Sequence, residues 1–275
     1  MRIGGVAEPL DRRSAAILLL PLLAAAVGAW IVADHRMSGM DAGPGTDLGT
    51  AGFFVTTWVA MMAAMMFPSA WPAMLAHAQL WRYWRDRTGA STVGAGPAFA
   101  TGYLVTWTIA GLIAFVLFEL ARSLSIGLLA WDRGGPYVAG AVILTAALYE
   151  LTPLKDTCLT RCRNPLLFVV GGWRPGRLGA VRMGMEHGAW CVGCCWALMA
   201  ALFALGLMSL IWMALVAGLI AGEKLLPWRT WASRGVAVIL LVLALGVAFA
   251  PGSVPGLTNP GSGEAMQSME MGSGG

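Results

Sequence analysis

The feature that most limits what this chain can become is a succession of apolar stretches, each long enough, or nearly so, to cross a lipid bilayer. They run from Ser14 to Ala33, Phe53 to Leu80, Ala98 to Leu120, Tyr137 to Leu151, Ala189 to Leu205, Met208 to Leu226 and Gly235 to Ala250. A hydrocarbon layer of about 30 Å needs on the order of 20 apolar residues at about 1.5 Å rise each. The fourth stretch is short, and the fifth and sixth are split at Gly206, where glycine permits a tight turn in a block too long for one span. The expected fold is an all-α, polytopic transmembrane bundle of about seven helices, five to seven being compatible with the runs. Composition agrees: 58% of the 275 residues are hydrophobic and 12% charged, against roughly 45–50% and roughly 25% in soluble domains. No polar segment is long enough to build a second core. The reading is a cytoplasmic tail at 1–13, a helical domain at 14–250 and a Gly/Ser/Met-containing tail at 251–275.

Arg12 and Arg13 precede the first run and small residues occupy Ala24 to Ala26, the pattern of a signal peptide. The run is longer than a signal core, which favours an uncleaved anchor. Basic residues then set orientation, since lysine and arginine are retained on the cytoplasmic side. With the N-terminus inside, the inner segments hold Arg2, Arg12, Arg13, Arg82, Arg85, Arg87, Lys155, Arg161, Arg163, Arg174, Arg177, Arg182, Lys224, Arg229 and Arg234. Only Arg36, Arg122 and Arg133 fall outside, and the C-terminus is outside too. Trp30, Trp81, Trp84, Trp131, Trp228 and Trp231 lie at expected helix ends, as an interfacial belt would have them. The expected location is a bacterial cytoplasmic membrane, with the bilayer as partner. Net charge is +4, but the basic residues are spread between apolar runs and form no stripe for nucleic acid.

All five cysteines fall in two short segments, Cys158 with Cys162, and Cys191 with Cys194 and Cys195. On the cytoplasmic side thiols stay reduced, so metal binding or redox chemistry outweighs a structural disulfide. A helix beginning near Glu186 places His187, Cys191 and either Cys194 or Cys195 one turn apart on one face, where Cys158 and Cys162 can meet them. Thiolates with an imidazole suit copper(I), or zinc. The competing reading takes the cysteines as small buried residues that let helices approach.

Methionine complements this pattern. His35, Met37 and Met40 flank the first outer loop, and Met266, Met269 and Met271 punctuate the tail. In the second helix Met61 and Met65 share one face and Met62 and Met66 the next, ahead of Pro68 and Pro72. Thioethers are copper(I) donors that survive oxidising surroundings, and a proline-bent helix is a common place for a transport site, although methionine also packs ordinary cores. Glu119, Glu150 and Glu223, at helix ends, read as solvated carboxylates, and His77 as a histidine hydrogen-bonded to a neighbour. There is no phosphate-cradling glycine motif, catalytic serine signature or internal repeat.

Three segments carry a resemblance. They are Trp58 to Pro68 with its paired methionines, Tyr149 to Pro165 with Cys158 and Cys162, and the stretch from Gly184 through Cys191, Cys194, Cys195 and Trp196 to Met213, Glu223 and Lys224. Together they resemble bacterial membrane proteins grouped under a domain of unknown function and described as predicted metal-binding integral membrane proteins. The resemblance covers roughly Phe53 to Pro227 and implies Cys158, Cys162, Cys191, Cys194, Cys195 and the second-helix methionines as ligands.

The leading expectation is a membrane protein that binds a soft metal, copper(I) foremost, for transport or for delivery to a metal-receiving protein or enzyme complex. Its expected ligands are Cys158, Cys162, His187, Cys191, Cys194, Cys195, Met61, Met62, Met65 and Met66. Two alternatives stand beside it. One is a membrane thiol-disulfide oxidoreductase, which should face its cysteines outward; the other is a structural or assembly subunit whose cysteines only pack.

Overall fold

In a bilayer every backbone N–H and C=O must be satisfied within the segment, which leaves the helix as the element an apolar chain can build. The computed structural model describes residues 12–38, 43, 48–88, 94–123, 134–255 and 257, and among these every regular element is helical. In chain order the α-helices are α1 Arg12–Met37, α2 Ala51–Thr88, α3 Ala95–Ser123, α4 Gly135–Glu150, α5 Pro153–Arg163, α6 Pro165–Gly171, α7 Gly176–Leu205, α8 Leu210–Leu225 and α9 Arg229–Phe249. Most of both expected tails lies outside the described residues, as do Met40, Trp131, Arg133, Met266, Met269 and Met271.

Five helices are long and apolar enough to span a membrane: α1, α2, α3, α7 and α9. A sixth span arises if α4 and α5, bent by 66° at their junction, count as one broken segment. The remaining expected span, Met208 to Leu226, is α8, which has 16 residues, about 24 Å of helix and short of a hydrocarbon layer. The break falls in the fourth span and not in the second, because α2 continues as one 38-residue helix through Pro68 and Pro72. At the α4–α5 junction Thr152 is extended ahead of Pro153, as the residue before proline must be. Pro153 then opens α5 and the Thr152 hydroxyl accepts from Lys155 N–H at 3.3 Å, a capped start for a new helix.

The bundle wears its apolar residues outward. Leu20, Val27 and Ile31 on α1, Ile109, Ile113 and Val116 on α3, and Val238, Val242 and Leu245 on α9 are all exposed. A row of this kind on three helices is a lipid-facing surface. By contrast α2 and α7 are the most enclosed of the candidate spans, and they carry the methionine pairs and three of the cysteines. Both extend beyond what a bilayer needs, at the ends bearing Arg82, Arg85 and Arg87 on α2 and Arg177 and Arg182 on α7. The long fourth-to-fifth loop of the sequence reading is therefore helix throughout most of its length, with α7 starting at Gly176 and not near Glu186. Exposed Trp228 and Trp231 suit an interfacial belt, whereas Trp81 is buried against Trp173.

The most extensive helix pairing is α3 with α7, and glycine makes it that close. A Cβ on Gly184 would lie 2.0 Å from the Phe99 carbonyl oxygen, and one on Gly102 the same distance from that of Val181. Small residues at a crossing let membrane helices approach backbone to backbone. Gly184→Ala is accordingly expected to cost about 1–3 kcal/mol through forced separation of α3 and α7, lowering the melting temperature of the detergent-purified protein. Gly218→Ala, where nothing lies within 4 Å of the new carbon, should leave it unchanged or raise it.

Candidate metal centre

The thiols come together because α7 winds Cys191, Cys194 and Cys195 onto one buried face while α5, folded back by the break at Thr152, lays Cys162 against it. The ligand atoms of Cys191, Cys194 and Cys195 all lie within 4.8 Å of one another. Cys194 Sγ is 3.3 Å from Cys195 Sγ and 3.7 Å from Cys162 Sγ. All five cysteines are free thiols. Cys158 stands aside: its sulfur packs against Gly193, where a Cβ would come within 2.8 Å of it.

Two residues absent from the sequence-based ligand set complete the surroundings of Cys191. Lys224 Nζ, from the end of α8, donates to Cys191 Sγ at 2.9 Å and to Ser69 Oγ of α2 at 3.3 Å. Tyr103 OH, from α3, lies 2.9 Å from the same sulfur. An ammonium and a phenol converging on one thiol can balance the charge of a thiolate in a place without water. Their separations along the chain, 33 and 88 residues, put them beyond any local spacing rule.

His187 sits one turn before Cys191 on α7, buried beside Tyr103, Phe99 and Phe168 with ring-centroid distances of 6.0, 6.0 and 5.3 Å. It lies next to the thiol group without belonging to the mutually close trio. Met61, Met62, Met65 and Met66 are all buried in the same core cluster as Cys162, Cys191, Cys194 and Cys195. His35 and Met37 lie at the end of α1, in the last turn before the first loop.

Beside the thiols is a buried ion group that the sequence reading placed in solvent. Glu150 ends α4 and Glu223 lies near the end of α8, both 16-residue helices. Their carboxylates are 4% and 2% exposed by residue, and both pair with the buried ammonium of Lys155, Glu223 at 2.7 Å and Glu150 in closer contact. Arg163 adds bonds to the Glu223 and Leu226 carbonyl oxygens. The group locks α5 to the ends of α4 and α8, and Lys155 is a structural cation and not a loop charge.

With this geometry in hand, comparison with known proteins adds one finding. A family model described as PpoB2, copper chaperone, matches residues 55–247, well over half of the chain. The chain belongs to the PpoB2 copper-chaperone family. No curated protein and no solved structure matches it. The matched description names copper where the resemblance drawn from the sequence named metal binding alone, and it does not carry that family's unknown-function label. The match spans every residue of the thiol cluster, the methionine pairs and Lys224, and it supports copper as the metal partner of this PpoB2 chain.

A buried carboxylate stripped of its partner is costly. Lys155→Met is expected to destabilise the fold by about 3–5 kcal/mol, read as a lower melting temperature and a poorer yield of monodisperse protein. Combining it with Glu150→Gln and Glu223→Gln removes the orphaned charges and should recover most of that loss.

Proposed function

We propose that this protein is a multi-pass membrane copper chaperone that holds copper(I) at Cys191, Cys194 and Cys195, with Cys162 as the adjoining thiol, and passes it to a receiving protein. The observation that carries this reading is the buried trio of thiols within 4.8 Å, met by a lysine ammonium, in a chain of a copper-chaperone family. Metal–thiolate bonds of about 2.3 Å place opposed sulfurs about 4.6 Å apart, so two thiols of the trio are spaced to clasp one ion with little movement.

Charge favours the monovalent metal. A copper(I) ion between two thiolates carries a net charge of −1, and the single ammonium of Lys224 neutralises it; a divalent ion with four thiolates would keep an excess negative charge in a low-dielectric site. Soft donors dominate the setting, and no carboxylate belongs to the close group, which again favours copper(I) over harder ions. Met61, Met62, Met65 and Met66 then offer thioethers along α2 for an incoming ion, with His187 the next donor on α7. The charge distribution supports a bacterial inner-membrane setting with the thiols toward the cytoplasm. Thiol-disulfide exchange with a protein substrate needs an accessible sulfur, and Cys191, Cys194 and Cys195 are at most 2% exposed.

Copper loading of the detergent-purified protein under reducing conditions, followed by mass spectrometry, tests the reading. Wild type should retain copper(I) near one ion per thiol cluster, the Cys191/Cys194/Cys195 to serine variant should lose it, and Cys158→Ser should keep it. Equal copper in wild type and the triple variant, or preferential retention of zinc, would overturn the proposal. Lys224→Met should weaken copper(I) binding roughly 10- to 100-fold, the worth of one charge-assisted hydrogen bond of about 1.5–3 kcal/mol, measured by competition with a copper(I) chelator.

A further inference from the structure

The buried nitrogens left without a hydrogen-bond partner fall into two settings. His77, expected from the sequence to bond a neighbour, has neither ring nitrogen satisfied and is packed among the rings of Phe99, Trp81 and Trp173. Arg174 Nε also lacks a partner, but it belongs to the rim of an open cleft. That cleft, between α5, α6 and α7, measures about 800 Å³, within the range of about 300–1,000 Å³ usual for small-molecule sites. Its walls divide by chemistry, with Arg161, Asn164 and Glu186 polar and Leu167, Phe168 and Trp190 apolar.

Charge in the cleft is unbalanced. Arg161 Cζ lies over the Trp190 ring, 4.4 Å from its centroid, and among the described residues no carboxylate pairs with it. A cation–π contact leaves the N–H donors of a guanidinium unused. Glu186, the acidic residue of the lining, is already held by Arg174 at 2.9 Å and Arg182 at 3.7 Å. Asp156, the acidic residue of α5, lies outside the lining. Three guanidinium groups against one carboxylate leave two positive charges in excess.

The cleft also straddles the level at which α7 enters the apolar layer. Arg177, Arg182 and Glu186 are the charged residues of that helix, and from Gly188 to Leu205 it carries none. Trp190 stands one turn beyond Glu186, where an interfacial tryptophan belongs. Leu167, on the α6 wall, is 76% exposed, so the apolar side of the cleft is open.

We infer that this cleft binds an anionic glycerophospholipid, its phosphate on Arg161 and Arg174 and its acyl chains along Leu167 and Phe168. Basic pockets between membrane helices take such headgroups. An acidic protein would meet the same charge, but it has no use for an apolar wall that begins where the charged residues of α7 end. The lipid bridges α5 and α6 to α7 and so adds to the hold on the arm that carries Cys162. The inference needs only the membrane setting and is independent of the copper reading.

The test is native mass spectrometry and thermal melting of the full-length protein in detergent. Phosphatidylglycerol and phosphatidylcholine with the same acyl chains are added back in turn, and glycerol 3-phosphate serves as the headgroup alone. Wild type should bind phosphatidylglycerol in preference and melt higher with it. Arg161→Gln, a change at an exposed side chain, should weaken that binding roughly fivefold or more and remove the extra stabilisation, while Arg161→Lys should restore most of both. Arg87→Gln, on α2 with its guanidinium over Tyr83 and outside the cleft, should change neither. Equal binding of the two lipids, or equal loss in Arg87→Gln and Arg161→Gln, would reduce the effect to general surface charge and overturn the proposal. Protection by glycerol 3-phosphate equal to that of the lipid would assign the cleft to a soluble anion, and no lipid binding at all would assign it to another occupant such as an acidic protein; either result overturns it as well.

Discussion

Charge held inside an apolar layer must find its opposite within that layer, since the cost of burying an unpaired ion exceeds what most packing contacts return. This bundle meets the requirement at two adjoining places, and both depend on the end of α8. Glu223 and Lys224 are neighbours in the chain yet reach apart, the carboxylate to Lys155 of α5 and the ammonium to Cys191 of α7. One dipeptide thereby fixes α5 against the bundle and sets a positive charge on the thiols that α5 and α7 bring together.

The break in the fourth span follows from the same need. Thr152 and Pro153 end α4 and start α5 at 66°, and the turn brings Lys155 back toward Glu150, the last residue of the helix it has just left. Cys162 rides two turns further along α5 and reaches Cys194. The Thr–Pro pair therefore does more than stop a helix: without it Cys162 would continue along the α4 axis, and the thiol face of α7 would lack its fourth sulfur. The glycine-mediated approach of α3 carries Tyr103 to Cys191, so the most extensive helix pairing among the described residues also brings a phenol to the site.

Much of the architecture was legible in the chain because its cause is local. An apolar run of a given length means a span, and a histidine and cysteines three to four residues apart on a helix share a face; both expectations meet the α7 geometry. What escaped was decided across the chain. Lys224 and Tyr103 join Cys191 only through the packing of α8 and α3, and nothing in their own neighbourhoods marks them. Glu150 and Glu223 were read as solvated because they end helices, but the return of α5 buries both against Lys155. Cys158 and Cys162, four residues apart, pointed to a shared role; the actual crossing of α5 and α7 gives Cys162 to the thiols and sets Cys158 against the backbone of Gly193.

Candidate donors follow one another along the two enclosed helices. Trp58 of α2 meets Phe203 of α7, Ser69 is joined through Lys224 to Cys191, and His77 and His187 flank Phe99. Residue numbers rise on α2 as they fall on α7, so the pair runs antiparallel. The methionine pairs of α2 lie between the Trp58 and Ser69 levels, ahead of the thiols, and the histidines lie beyond them. Copper(I) held at the thiols would have the thioethers of α2 in the same core cluster and the Lys224 ammonium on Cys191. Negative charge on the metal–thiolate group could be neutralised there by that ammonium.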